Sequence, residues 1–395
     1  MSNAIEVRSD VSKVAPEVIE FRRHLHQYPE LSWKEKETQT FILTQLEALK
    51  LQDVRSVART GATALISGDA SGPCVLWRAD IDALPIFEKT DLSYASKNDG
   101  VMHACGHDVH TAIGLGLARL LADNSENLKG SVRLLFQPAE ESTSGARLCI
   151  EEGILDSPNV DRVLGLHISA DVPIGSINVA AGPFFAAPTS FRIELQGIGG
   201  HAALPNQAVD TVVIAAQIIN VLQTVVSRSV SPLENAVLTI GKVEAGVRGN
   251  VIAESALMTG TIRTYSVEVR DLILKRVESL IKGICDGFNA TYIFSHRSDT
   301  PALVNDVQVT NFVKEEAKQF FGSNTYSVPT MGAEDMSYFL NERPGCYFWL
   351  GARNEAKGIA GRHHDSAFVI DEDAIALGLD FSRILIEKSL EALSV

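Results

Sequence analysis

The stretch at residues 101–112, VMHACGHDVHTA, concentrates side chains that bind metals or act as nucleophiles. Three histidines, Cys105 and Asp108 fall within the eight residues 103–110. Thiolate sulfur and imidazole nitrogen are preferred ligands of zinc and similar transition metals. The same residue types also occur as a buried thiol beside capping histidines. The stretch alone therefore leaves open a metal site, a redox centre or a polar turn.

Three later stretches supply further ligand types. FQPAEES places Glu140 and Glu141 side by side after an apolar run, LGLHIS contains His167, and GRHHDSAF offers His363 and His364. Adjacent residues at the end of a strand project in different directions, so one glutamate can bind metal while the other faces substrate. Each stretch has an ordinary structural explanation when taken singly. Together they supply thiolate, imidazole and carboxylate in the proportions that a two-metal hydrolase uses.

Apolar strands that alternate with helices position these residues, which is typical of an α/β layer with a mostly parallel sheet. In such sheets ligands bind beyond the carboxyl ends of the strands. Asp80, Glu140 and His167 fall at or just past predicted strand ends. The predicted elements around them are strands at 61–67, 74–81, 131–137 and 162–168 and a helix at 107–122.

The pattern changes near residue 183 and returns near residue 298. Between these points the sequence predicts a sheet with two helices on one face, a compact α+β unit. The whole chain has 395 residues, which exceeds the length at which a single hydrophobic core stops growing. We therefore predict an α/β protein with two domains, one formed by residues 1–182 and 298–395 and the other inserted at residues 183–297.

Charge and composition restrict the partners and the location. The formal net charge of −14 argues against nucleic acid or an anionic membrane as the main partner. No apolar run approaches the ~20 residues of a membrane-spanning helix. The five cysteines are odd in number and widely spaced, which favours reduced thiols in a cytoplasmic protein.

Seven stretches resemble motifs of the M20 metallopeptidase family, in the family's order: RADIDALP, HACGHDVHTA, FQPAEE, GIGGHAALP, NVI, GTIRTY and MGAEDMSYF. They are most similar to its aminoacylase/amidohydrolase branch, which includes hippurate hydrolases and indole-acetyl-amino-acid hydrolases. The resemblance spans about residues 20–372. It implies a metal-dependent amidohydrolase that splits an N-acyl amino acid into a carboxylic acid and a free amino acid. It also implies a catalytic domain with two divalent ions per subunit and an inserted lid domain that forms a homodimer or higher homo-oligomer.

The resemblance also implies a role for each matching residue of the catalytic domain. Glu140 becomes the general base, and Asp80 a carboxylate that orients a ligating imidazole. His103 and His110 become supporting or helix-capping groups. The implied metal ligands are Cys105, which bridges the ions, His107, Glu141, His167 and His364.

His364 is preferred to His363 because the branch places a phenylalanine four residues after its ligand, and Phe368 fits. In the predicted lid, the resemblance implies that His201 stabilises the oxyanion in its own or the partner subunit's site. The implied substrate-binding residues are Asn250, Arg263 and Glu334, of which the last is followed by Asp335 in the same motif.

Other functions remain open at this point. A dipeptidase or an N-acetyl-diaminopimelate-type deacetylase is the alternative within hydrolases. A metal-binding protein that closes on a small ligand without turnover belongs to a different class. A nucleophilic Cys105 is a third possibility, because a thiolate near histidines attacks carbonyl carbon. The metal is also open among zinc, manganese, nickel and cobalt.

Overall fold

The computed structural model describes residues 5–142, 145–298 and 300–394. Its contacts divide the chain into two compact units. Unit 1 consists of Met1–Phe184, Val304–Pro329 and Asp335–Val395, and unit 2 of Phe185–Leu303 and Thr330–Glu334.

In chain order, the helices and strands up to the start of unit 2 are α1 (Ser9–Gln27), α2 (Lys36–Ala48), β1 (Gln52–Val57), β2 (Gly61–Ser67), β3 (Cys74–Asp80), α3 (His107–Ala122), β4 (Ser131–Gln137), α4 (Gly145–Glu151), β5 (Arg162–Pro173), β6 (Ile177–Asn178) and β7 (Gly182–Phe185).

The following elements are β8 (Ala187–Gln196), β9 (Gly200–His201), α5 (Thr211–Ser229), β10 (Ala236–Ala245), β11 (Val251–Ile252), β12 (Ser255–Thr264), α6 (Val267–Phe288) and β13 (Thr291–Ser298). The last part of the chain forms β14 (Leu303–Asn305), α7 (Val307–Phe321), β15 (Thr325–Tyr326), α8 (Ser337–Glu342), β16 (Gly345–Arg353) and α9 (Asp373–Leu393).

The sheet of unit 1 has the strand order β1-β2-β4-β3-β5-β16-β6-β15. Its central strands β4, β3, β5 and β16 run parallel, and the antiparallel pairings lie outside this centre. Strands β3 and β4 are buried along their whole length, as strands of a parallel sheet are when helices cover them. The predicted α/β fold with a mostly parallel sheet is confirmed.

Unit 2 is built on an antiparallel sheet of order β10-β12-β8-β13. Strand β8 alternates buried and more exposed residues, so one face is apolar and lies against helices α5 and α6. Among the described residues, one helix, α5, is long and apolar enough to span a membrane by length and composition alone. Its Ile214, Ile218 and Leu222 are buried in the core of unit 2.

The division into units differs from the predicted domains at the second crossing of the chain. The prediction ends the inserted domain at residue 297, whereas unit 2 continues to Leu303 and includes Thr330–Glu334. Two hydrogen bonds attach this short segment: the Ala186 N–H donates to the Gly332 carbonyl, and the Tyr265 hydroxyl donates to the Thr330 carbonyl.

A buried ion-pair network fixes the start of α3. Asp108, in the first turn of α3, accepts a hydrogen bond from Arg22 Nε at 2.7 Å and lies 2.8 Å from His26 Nδ1. The other ring nitrogen of His26 lies 3.2 Å from Glu88 Oε1. Burial and Arg22 lower the pKa of His26, but Asp108 and Glu88 raise it further, so the net shift is upward. Protonated His26 therefore ties α1 to the turn that carries the HACGHD motif.

The raised pKa of His26 predicts a pH-dependent contribution to stability. Because the folded-state pKa exceeds the ordinary value of 6.5, this contribution is complete below pH 6.5 and is lost as the pH rises through the folded-state pKa. We expect the difference in free energy of unfolding between the wild type and His26→Gln to shrink as the pH rises above 6.5 and through the folded-state pKa. Denaturant titrations at each pH measure it.

His24, on the same helix, is the matched control. Burial and Lys97 lower its pKa, so folding disfavours its protonated form. The difference between the wild type and His24→Gln should therefore grow in favour of the wild type from about pH 5 to about pH 7. If the difference in free energy of unfolding changed in the same direction with pH for both variants, the assigned protonation of His26 would be wrong.

Candidate metal centre

A tight turn brings the side chains of Cys105 and His107 close together. Gly106 between them has φ 92°, in the left-handed region that favours glycine. A Cβ on Gly106 would lie 2.3 Å from Ile168 Cγ2, so only glycine fits here. Cys105, His107 and His167 each present one ligand atom, and these atoms lie within 4.8 Å of one another.

His167 is fixed in the tautomer that a ligand requires. It lies in β5, and its Nδ1 donates a hydrogen bond to the Ile168 carbonyl at 2.7 Å. The lone pair of the neutral ring is therefore on Nε2, which lies 3.5 Å from Cys105 Sγ. Burial, with the nearby His110 and His363, holds the pKa of His167 well below its usual range. The ring is neutral and its available nitrogen faces the thiol.

Asp82 connects three parts of the centre, and its role was not predicted from the sequence. Its Oδ1 lies 3.3 Å from His107 Nδ1. Its two carboxylate oxygens accept the backbone N–H groups of Glu140 and Glu141, both at 3.1 Å, and one accepts the Ser32 hydroxyl at 2.6 Å. A carboxylate on one ring nitrogen orients an imidazole that binds metal through the other. The signal available in the sequence was the second aspartate of RADIDALP, two residues after strand β3.

One ring nitrogen of His107 is available for a metal ion. Its Nε2 is buried and has no hydrogen-bond partner among the described residues. Burial lowers its pKa, but Asp80, Asp82 and Glu141 raise it further, to about 10. A positive charge at this position is thus strongly favoured, and a metal cation on Nε2 would meet the same demand.

Asp80 and His110 form a supporting pair beside His107. His110 Nδ1 lies 2.5 Å from Asp80 Oδ1, and His110 Nε2 accepts the Ile168 N–H at 2.8 Å. Both ring nitrogens of His110 are therefore engaged, which fits the supporting role predicted for it. The other oxygen of Asp80 lies 3.7 Å from His107 Nε2.

Glu140, Glu141 and His107 present ligand atoms within 4.8 Å of one another, and so do Cys105, Glu141 and His364. Glu140 is buried, with 7% of its surface exposed. His364 Nε2 lies 3.4 Å from Glu141 Oε1, and this carboxylate raises the pKa of His364. The structure thus brings all five implied ligands and the implied base into one cluster in unit 1.

The neighbouring His363 has a different environment. Its Nε2 accepts the Ala170 N–H at 3.4 Å, and its Nδ1 lies 3.9 Å from Cys105 Sγ. Burial lowers the pKa of His363 to about 3. His103 is also buried, with its pKa lowered to about 4 and neither nitrogen hydrogen-bonded to a described residue. Neither histidine belongs to a ligand group found among the described residues.

The remaining implied site residues belong to unit 2. His201 and Asn250 are exposed and adjacent, because β9 pairs with β11 and the Ala202 N–H donates to the Asn250 carbonyl. Arg263, in β12, is half-buried and donates to the Ile262 carbonyl. Glu334 is buried, with 2% of its surface exposed.

The sequence is similar to a known peptidase family and to known deacetylases. The family model described as peptidase family M20/M25/M40 matches residues 76–388. N-acetyl-L-cysteine deacetylase of Bacillus subtilis (strain 168) is 43% identical over 366 residues, covering 93% of this chain and 86% of that protein. N-acetylcysteine deacetylase of the same strain is 41% identical over 366 residues, covering 92% of this chain and 94% of that protein.

A solved structure is also similar to this chain. The Bacillus subtilis YXEP protein, described as a dinuclear metal binding peptidase from the M20 family, aligns with a TM-score of 0.83. It is 36% identical, and the alignment covers 96% of this chain and 99% of that one. The fold and the clustered thiol, imidazole and carboxylate groups are those of a metal-dependent hydrolase that acts on amides. The chain belongs to peptidase family M20/M25/M40.

The environments of the two adjacent histidines predict different effects on metal binding. His364→Ala removes an imidazole beside Cys105 and Glu141, so this variant should hold fewer ions per chain than the wild type at saturating metal. His363→Ala should hold as many as the wild type, because the Ala170 N–H already occupies Nε2 of His363. Elemental analysis after gel filtration measures both. Loss of an ion from His363→Ala alone would reverse the assignment.

Proposed function

We propose that this chain hydrolyses N-acyl amino acids to a carboxylic acid and a free amino acid, with metal ions held in unit 1. The observation that carries this proposal is the cluster of thiol, imidazole and carboxylate ligand atoms, with the carboxylate of Glu140 beside it. The names of the two similar deacetylases support an N-acyl amino acid as the substrate class.

We assign two divalent ions to each subunit. The donor set fits them, because thiolate, imidazole and carboxylate bind zinc, nickel or cobalt, and manganese accepts the carboxylates and imidazoles. The residues that would hold them are Cys105, His107, Glu141, His167 and His364. When bound, such ions lower the pKa of a water molecule and polarise the substrate carbonyl.

Glu140 acts as the proton carrier. Its carboxylate takes a proton from the attacking water as the bond between oxygen and the carbonyl carbon forms. The same proton then passes to the amide nitrogen as the carbon–nitrogen bond breaks, which releases the free amino acid. Asp82 fixes the backbone N–H of Glu140 and the ring of His107, so the base and a ligand keep a defined spacing.

Side chains of unit 2 are proposed to bind substrate. His201 Nδ1 accepts the Ala203 N–H at 3.0 Å, so the neutral ring carries its proton on Nε2 and donates from there to an oxyanion. Burial lowers the pKa of Arg263, and no described carboxylate offsets this effect, so the guanidinium suits the substrate carboxylate. Asn250 and Glu334 complete the proposed set.

The proposed assembly and location follow from the same reasoning. We assign a homodimer or higher homo-oligomer formed through unit 2, with His201 acting in its own or the partner subunit's site. We assign the chain to the cytoplasm, with neither a nucleic acid nor a membrane as its partner. The five cysteines, all within the described residues, form no disulfide bond, which suits a reducing compartment.

The role of Glu140 predicts a selective loss of turnover. Glu140→Gln keeps the size of the side chain but cannot accept a proton, so kcat should fall by about 10²-fold to 10⁴-fold. The metal content should remain that of the wild type. Hydrolysis of N-acetyl, N-benzoyl and N-indoleacetyl amino acids measures the effect and identifies the preferred acyl group. Glu151→Gln, on the exposed side of α4, is the control. Turnover that survives in Glu140→Gln would eliminate this base.

The metal mechanism also predicts the response to chelation. Removal of metal should abolish hydrolysis, and added zinc, manganese, nickel or cobalt should restore it, because the proposed mechanism needs a cation to polarise the substrate carbonyl. A nucleophilic Cys105 predicts the reverse. In that case activity would resist a chelator and disappear on treatment with a thiol alkylator.

A further inference from the structure

A fully buried arginine lies behind the metal centre. Arg78 is in β3, two residues before Asp80, so both side chains project from the same face of the strand. None of its side-chain surface is exposed. A buried guanidinium is costly unless carboxylates and other acceptors compensate its charge and its N–H groups.

Hydrogen-bond acceptors surround this guanidinium. Nε donates to Gln137 Oε1 at 2.8 Å, and Nη2 donates to Asp335 Oδ1 at 2.8 Å. Nη1 donates to Asp80 Oδ2 at 2.6 Å and to the Tyr347 hydroxyl at 3.2 Å. One cation thus joins two buried carboxylates that lie 255 positions apart in the chain, Asp80 and Asp335.

Asp335 is held as firmly as Arg78. It accepts hydrogen bonds from Gln137 Nε2 at 2.9 and 3.0 Å and from the Ala146 N–H at 3.0 Å. None of its side-chain surface is exposed. The position of Arg78 is therefore defined from the side opposite Asp80.

Arg78 determines which way Asp80 faces. Asp80 Oδ1 is bonded to His110, while Oδ2 is bonded to Arg78 and lies 3.7 Å from His107 Nε2. If the guanidinium were absent, Oδ2 would be free to turn toward His107 Nε2, into the space that an ion bound to this nitrogen would need.

We propose that Arg78, itself held by Asp335, is a positioning residue of the metal centre that holds Asp80 Oδ2 away from the metal-binding nitrogen of His107. This inference rests on the proposed function, since it takes His107 as a ligand. It assigns metal affinity in part to two residues, Arg78 and Asp335, that are not among the proposed ligands.

The test compares the zinc dissociation constants of purified full-length variants, measured by competition with a chromophoric chelator. Arg78→Lys keeps the charge but cannot bond Asp80, Gln137 and Asp335 together, so its affinity should fall by about 10-fold to 100-fold. Arg133→Lys is the matched control. Arg133 is also a buried arginine of the same sheet, and it pairs with Asp53 away from the centre. Its zinc affinity should stay within about twofold of the wild type, well below the loss expected for a group that positions a ligand.

A second substitution separates positioning from general destabilisation. Asp335→Asn should also weaken zinc binding, and the double variant should bind zinc no more weakly than Arg78→Lys alone, because Asp335 acts through Arg78. If Arg78→Lys fails to fold, Asp335→Asn alone decides, and wild-type affinity in that variant would overturn the proposal.

Three other outcomes are decisive. Wild-type affinity in Arg78→Lys would overturn the role of Arg78 and leave the proposed function intact. An equal loss in Arg133→Lys would show that any buried arginine of the sheet has this effect, which also overturns it. If the wild type bound no divalent ion, the proposed function would fail first, and this inference would fail with it.

Discussion

The carboxylate of Asp82 is the constraint on which the candidate centre depends. It contacts the ring of His107 and the backbone N–H groups of Glu140 and Glu141. One carboxylate therefore holds three proposed site residues: His107 at the start of α3, and Glu140 and Glu141 in the segment after β4. Asp82 lies two residues after the end of β3, a strand that is buried along its whole length. Through its contacts, Asp82 therefore positions His107, Glu140 and Glu141 relative to the buried centre of the parallel sheet.

Around Asp82, unit 1 buries several charged side chains in pairs. Arg78 lies between Asp80 and Asp335, and Arg22 lies against Asp108. Such pairs stabilise a fold weakly, because desolvation opposes their attraction, but breaking one is costly. Their value here is geometric: each pair fixes a residue that contacts, or directly follows, a proposed ligand. The metal centre is thus specified by an outer layer of ion pairs as well as by its own donors.

Much of the fold was predictable because local patterns determine it. The strands at 61–67 and 131–137 and the helix at 107–122 match β2, β4 and α3, since long apolar runs and helix boundaries are encoded nearby in the chain. Strand β1 and the two-residue strand β6 were missed. The first carries mostly exposed side chains, and the second is stabilised only by distant partners, so neither has a local pattern.

The site itself was only partly predictable from sequence, for a related physical reason. The ligand types and the resemblance predicted that the five implied ligands and Glu140 form one site. In the structure these residues lie close together. The resemblance implied Asp80 as the carboxylate that orients a ligand, yet the carboxylate on His107 Nδ1 is Asp82. Two aspartates separated by one residue have similar sequence surroundings. Only the side-chain directions after β3 distinguish them.

Crystallographic anomalous scattering from metal-loaded protein would locate the ions of the proposed binuclear centre. We expect two anomalous peaks in unit 1. Cys105 Sγ should lie within bonding distance of both, and His107, Glu141, His167 and His364 should complete the two coordination spheres. Peaks bound elsewhere, or a Cys105 sulfur that contacts neither ion, would contradict the proposed centre.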